Sequence, residues 1–152
     1  MPNEFHRLGI HFQYPENWTL DEEDAVAGRD SVTVYSPGGS FWSLAIHSRS
    51  ADPRQLAEAV VDAMKQEYKE LEVEEISESV ADHELLGYDL SFYYLDLTNT
   101  AHVRCVRADR HTLTIFCQAE DREFNQISAV FQAMTVSLLS SVEKIRWGHS
   151  TS

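Results

Sequence analysis

The chain has 152 residues, 12 Lys+Arg against 25 Asp+Glu, a formal charge of -13 and 43% hydrophobic residues. That apolar content is too high for a disordered chain, and a negative excess of this size repels phosphate backbones, so neither nucleic acid nor an anionic membrane surface is expected as a partner. One domain over residues 1–140 is expected, with a partly mobile tail at 141–152.

In chain order, Gly9 to Tyr14 reads as a first strand, ended by Pro15 and a turn at Glu16 and Asn17 that returns Trp18 to the core. Asp21 to Asp24 form an acidic patch before Ala25 to Ala27. Ser31 to Tyr35 is β-branched and alternating, and Ser36, Pro37, Gly38 and Gly39 then make the clearest hairpin turn of the chain. In the next strand, Phe41 to His47, Trp42, Leu44 and Ile46 take one side and Phe41 and Ala45 the other.

At Asp52 the hydrophobic period changes. Asp52 can cap a helix, Pro53 suits its first position, and Leu56, Val60, Met64, Tyr68 and Leu71 recur as one stripe. Glu72 to Asp82 alternates as a strand, His83 to Gly87 reads as a turn, Tyr88 to Leu97 as a strong strand, and Thr98 to Thr100 as a further turn. Ala101 to Ala108 and Leu113 to Ala119 pair around Asp109 to Thr112, which places Cys105 near Ile115 and Cys117 near Val103. Phe124, Ile127, Phe131, Met134 and Leu138 mark a second helix over Asp121 to Leu139, after which periodicity fades beyond Ile145 and Trp147. Hairpin-linked strands and two amphipathic helices predict an α+β fold, an antiparallel sheet of about six strands flanked by two main helices.

Motifs that carry chemistry are sparse. No GxSxG, SxxK, HExxH, glycine-rich phosphate loop or calcium loop is present, and the two cysteines form no CxxC, so no enzyme, catalytic residue, metal site or cofactor is expected. The seven histidines read as scattered surface or rim residues; the competing function is a small-ligand or metal-binding domain drawing on His11, His47 and His102. The acidic runs Asp21 to Asp24 and Glu67 to Glu78 are a solvated face or a site for a cation or a basic partner. No run of eighteen apolar residues occurs and no basic-then-apolar leader opens the chain, so no membrane insertion and a cytoplasmic location are expected.

Two strands carry more apolar surface than a sheet covered on one side needs. Phe41 and Ala45 oppose Trp42, Leu44 and Ile46, and Tyr93 and Leu95 oppose Leu90, Phe92 and Tyr94. Something covers the second face: loops or a helix, or else a homodimer contact or a groove for a partner, for which Phe41, Tyr93 and Leu95 are the partner-binding residues to test.

The segments FQYPENW (Phe12 to Trp18), SVTVYSP (Ser31 to Pro37), ADHELLGYD (Ala81 to Asp89) and REFNQISAVFQAMTVSL (Arg122 to Leu138) together resemble the PsbP-like superfamily, which includes photosystem PsbP proteins, Mog and DcrB-like proteins, and effector-associated chaperones of type VI secretion. The resemblance implies an antiparallel sheet flanked by helices and a role in binding other proteins rather than a shared catalytic site. Its cytosolic chaperone branch implies a sheet face that holds an apolar partner segment. The expected function is therefore a non-enzymatic cytosolic binding or accessory protein whose partner offers an apolar segment or a basic surface.

Overall fold

Residues 1–22 and 30–142 are described in the computed structural model of the chain. Their elements are β1 (Asn3–Arg7), β2 (Ile10–Tyr14), β3 (Thr19–Asp21), β4 (Asp30–Tyr35), β5 (Phe41–Ser48), α1 (Pro53–Glu67), β6 (Glu72–Val80), β7 (His83–Tyr94), β8 (Leu97–Ala108), β9 (His111–Glu120) and α2 (Asp121–Ser141). β1 and β2 form a separate hairpin, and the other strands make one antiparallel sheet in the order β3-β4-β5-β9-β8-β7-β6. The α+β expectation stands, with seven strands and a two-stranded hairpin in place of about six. Glu23, Asp24, Ala25 to Ala27 and the tail from residue 143, with Ile145 and Trp147, lie outside the described residues.

Alternation along each strand sorts the side chains onto two faces. Val32, Val34, Trp42, Leu44, Ile46, Leu85, Val106, Leu113, Ile115 and Cys117 point to one face, here the α2 face, and join Phe5, Ile10 and Phe12 of the hairpin with Phe131, Met134, Leu138 and Leu139 of α2 in the main core. Trp42 is fully buried against Phe12 at 4.8 Å between ring centroids, and its indole N–H donates to Thr135 Oγ1 at 3.1 Å. Trp18 returns to this core edge-on to Phe131, as expected. The free edge of β2 is not left open: Gln13 N donates to Ser137 Oγ at 2.9 Å and Ser141 Oγ donates to His11 O at 2.7 Å, so α2 hydroxyls satisfy main-chain groups that a hairpin alone would expose.

The opposite face, here the α1 face, carries Leu86, Tyr88, Leu90, Phe92, Ala101, Val103, Cys105 and Phe116. α1 lies on them with Leu56, Ala57, Val60, Val61 and Met64. Over β7, β8 and β9, then, a helix covers the second apolar face. α1 begins as expected, with Asp52 accepting from Gln55 N at 3.0 Å and Pro53 in the first turn, but it ends at Glu67, where Tyr68 turns extended. Tyr68 and Leu71 leave the helix and still pack on the same cluster, with Tyr68 4.3 Å from Phe92 between centroids.

The turns correct the sequence expectation most. His83 to Gly87 and Thr98 to Thr100 are strand, and the chain instead reverses over two-residue turns at Ala81–Asp82 and Leu95–Asp96, whose φ values are all positive (49°, 67°, 52° and 64°). Both φ values are also positive at Leu8–Gly9, the turn that admits β1. These are primed-type hairpin turns, whose twist matches that of the strands, built here without the Asn-Gly or Asp-Gly pair that announces them. β8 and β9 pair one residue away from expectation, Cys105 with Thr114 and Cys117 with His102. A one-residue slip exchanges faces, so the cysteines stand on opposite sides of the sheet.

Candidate functional site

Each helix covers only part of its face. A cleft opens beside α2 over parts of β6, β8 and β9, and another beside α1 over parts of β4, β5 and β9.

The cleft beside α2 has a volume of about 340 Å³ and is lined by Glu78, His102, Arg104, Cys117, Phe124 and Gln132, among others. Its centre is Arg104, an inward-facing residue of β8 with 9% of its side chain exposed. Nε donates to Glu78 of β6 at 2.9 Å, Nη2 to Asp89 of β7 at 2.7 Å, and Nη1 to the carbonyls of Tyr88 and Val103 at 3.1 Å each. Burial opposes the guanidinium charge, yet the bonds to Glu78 and Asp89 outweigh it and hold the pKa above the ordinary arginine value. Arg104 is thus tied to three strands through four acceptors. His102 Nε2 sits 3.4 Å from Asp89, and its ring meets Phe124 of α2 edge-on at 5.0 Å.

Burial depresses the His102 pKa below 6.5, with Arg104 acting in the same direction and Asp89 and Glu78 opposing. In the unfolded chain the imidazole takes up its proton at a higher pH than in the fold. Between 6.5 and the lower folded value the unfolded state therefore binds more protons, and stability is lost as pH falls through that window. Urea denaturation at pH 7.5 and 5.5 is expected to give a smaller pH-dependent loss for His102→Gln than for the parent; an equal loss in both would show that His102 does not contribute.

The cleft beside α1 has a volume of about 500 Å³. Its floor carries Ser31, Thr33, Ser43, Ala45, His47 and Thr114, and α1 walls it with Leu56, Ala59, Val60 and Ala63. His47 Nε2 lies 3.0 Å from Thr114 Oγ1.

A third feature is the tip of the β7–β8 hairpin. Tyr93, Tyr94, Leu95 and Leu97 are 62%, 51%, 78% and 42% exposed. The other exposed large hydrophobics among the described residues, Met1, Leu8, Val73 and Val136, are scattered along the chain. Tyr93 points to the α2 face, Tyr94 and Leu97 to the α1 face, and Leu95 shares the turn with Asp96, so the tip carries apolar side chains on both faces. Glu70, Glu72 and Asp121 line a small recess beside Tyr93.

The expected partner-binding residues divide between these places. Phe41 is half-buried on the α1 face, 5.8 Å from Phe116 and 5.9 Å from Tyr35 between centroids. Tyr93 lies on the opposite face, three strands away, roughly 14 Å across the sheet. Leu95, expected on the strand Tyr88 to Leu97, lies instead at φ 52° in the turn. Tyr93 and Leu95 come together and Phe41 does not join them.

The three histidines also stay apart: His11 stacks on His6 in the hairpin, His47 is on the α1 face and His102 on the α2 face. Among the described residues no group of three or more His, Cys, Asp or Glu side chains is placed to hold a metal ion. The thiols are poor nucleophiles, because burial pushes Cys105 up to about 11 and Cys117 up to about 12. The Arg104 network was missed by sequence reasoning; VRCVRA carries two arginines, and only the structure shows that Arg104 is the buried one, which demands partners, while Arg107 is exposed.

No helix among the described residues is long and apolar enough to cross a membrane. No protein-family model matches the chain, and no curated protein matches it in sequence. Solved structures do match. The solution structure of cyanobacterial PsbP (CyanoP) from Synechocystis sp. PCC 6803 aligns with a TM-score of 0.63 at 12% identity, covering 90% of each chain. A Pseudomonas aeruginosa protein of unknown function, described as a putative regulator, gives 0.52 at 6% identity over 90% of this chain and 95% of that one. LpqN of Mycobacterium tuberculosis, described as involved in cell envelope biogenesis, gives 0.51 at 11% over 88% and 80%. The fold is PsbP-like.

Proposed function

We propose that this chain is a non-enzymatic, cytosolic protein-binding accessory domain whose contact is made by the β7–β8 hairpin tip. The observation that carries the proposal is the grouping of Tyr93, Tyr94, Leu95 and Leu97, exposed together on a projecting turn. Exposed apolar side chains gathered in one place mark contact sites, whereas single ones need no explanation. Leu95 also sits in the left-handed region, where a branched side chain costs roughly 1 kcal/mol and Asn or Gly would be at ease. Leu8 shares the conformation and the exposure but stands alone, so it is the grouping around Leu95 that carries the reading. Two buried thiols on opposite sheet faces, unable to pair with each other, suit a reducing compartment.

The double change Leu95→Asn with Asp96→Gly tests the proposal, since it supplies the turn's preferred pair and deletes the apolar apex. Stability is expected to rise by about 1 kcal/mol. A photo-crosslinker at position 93 is expected to capture a partner, or a second copy, in cells of the native host, and capture is expected to fall at least tenfold in the turn variant. Equal capture from a crosslinker at Val136, or capture insensitive to the turn variant, would refute the tip as the contact.

A small-ligand domain is the second reading. It is favoured by the α2 cleft, where six polar side chains line the space beside Phe124. A thermal-shift screen of small organic cations and divalent metal ions, repeated on Arg104→Met, tests it; no shift with any of them dismisses it.

A further inference from the structure

We propose that the outer edge of β6 accepts an extended basic segment of a partner protein as an additional antiparallel strand. The inference deepens the protein-binding reading above and rests on it for the partner's being a protein, while the edge itself is independent of the hairpin tip.

The sheet has two edges of unequal character. β3 spans Thr19–Asp21 only, whereas β6 runs for nine residues, Glu72–Val80, in unbroken register with β7. A long edge strand offers a row of unpaired N–H and C=O groups, and proteins ordinarily blunt such an edge against indiscriminate pairing with proline, charged side chains, a bulge or a covering segment. β6 contains no proline, glycine or lysine, its register shows no bulge, and no described residue bonds to its outer main chain. The contrast with β2 is direct, because that edge is closed by the hydroxyls of Ser137 and Ser141.

What β6 does carry is charge of one sign. Glu72, Glu74 and Glu78 point to the α2 face and Glu75 to the α1 face. Glu78 is held by Arg104, and Glu75 by Arg54 at 2.8 Å. Glu72 and Glu74, both exposed, have no ion pair or side-chain hydrogen bond among the described residues. Two free carboxylates at i and i+2 lie side by side on one face, the spacing that lysines or arginines two residues apart on an added strand would meet. The same charges oppose self-association, since pairing β6 with β6 of a second copy would set carboxylate against carboxylate. A second copy is thereby disfavoured and a basic strand selected. Glu72 pairs with Ser91, two residues before Tyr93, so the edge starts short of the exposed tip.

The probe is a capped nine-residue peptide of alternating Lys and Thr, titrated into the full chain and followed by amide NMR. Two further peptides carry N-methyl groups on every second main-chain nitrogen, one set on the Lys and the other on the Thr residues. An added strand presents only one of these sets to β6. The expected result is that shifts map to Glu72–Val80, that one methylated peptide loses binding at least tenfold while the other keeps it, and that Glu72→Lys with Glu74→Lys weakens the parent peptide at least tenfold. Shifts away from β6, or equal binding by all three peptides, would overturn the inference, the latter because it shows charge attraction without strand pairing. The tip variant separates the two proposals: it should bind the peptide as the parent chain does. Peptide pairing at β6 with partner capture insensitive to the tip variant leaves the edge standing and removes the tip, and the reverse pair of results does the opposite.

Discussion

Arg104→Met is expected to cost about 3 kcal/mol, the low end of what breaking a buried ion pair costs, and to lower Tm by roughly 9 °C in a chain of this size. Methionine fills most of the space but donates nothing. It leaves Glu78 and Asp89 without their shared cation and the carbonyls of Tyr88 and Val103 without their donor. The two carboxylates are 38% and 30% exposed, so water recovers part of their loss, and for that reason the low end is the right choice. Arg104→Lys keeps the charge without the fork and should recover only part of the difference. Urea denaturation decides the matter: a Met variant within 1 kcal/mol of the parent would mean that the network is ornamental to stability.

Gly87→Ala is expected to cost about 3 kcal/mol, the upper range for overpacking, because nothing near it can rotate away. A Cβ at position 87 would lie 1.8 Å from Val103 O, 2.8 Å from Val103 C and 3.1 Å from Arg104 Cα, all main-chain atoms. Relief requires β7 and β8 to part at the Gly87–Arg104 pair, which also disturbs the Nη1 bonds to Tyr88 O and Val103 O. The two changes act on one device, so the double variant should lose clearly less than the two single losses added together. Strict additivity of the thermal or urea data would separate the glycine from the arginine.

Gly87 also shows where local signals misled. Its neighbourhood, HELLG, reads as a turn because glycine is usually punctuation, yet here glycine serves close approach within a strand. The real reversals, Ala81–Asp82 and Leu95–Asp96, open on an alanine and a leucine that turn preference would not select, and only the aspartate that follows suits the conformation. β1 is polar along most of its length and announces no strand; it exists because β2 pairs with it over the core. By contrast, Ser36 to Gly39, the Asp52–Pro53 start of α1 and the stripe of α2 follow local chemistry and were legible. The surplus of apolar residues on β7 was legible as well, and a covering helix was one of the alternatives it left open. The Arg104 network draws on β6, β7 and β8 and depends on register, which a one-residue turn difference changes, so its membership could not be read from spacing.

The two clefts lie on opposite faces and beside different helices, yet they have one element in common. Ile115 and Cys117 line the cleft beside α2, and Thr114 and Phe116 line the cleft beside α1. Strand β9, between β5 and β8 in the sheet, is therefore a party wall, its successive residues facing alternate chambers. In a close-packed interior such a wall cannot give way on one side alone. Whatever displaces β9 from either chamber is felt in the other, across the thickness of a single backbone.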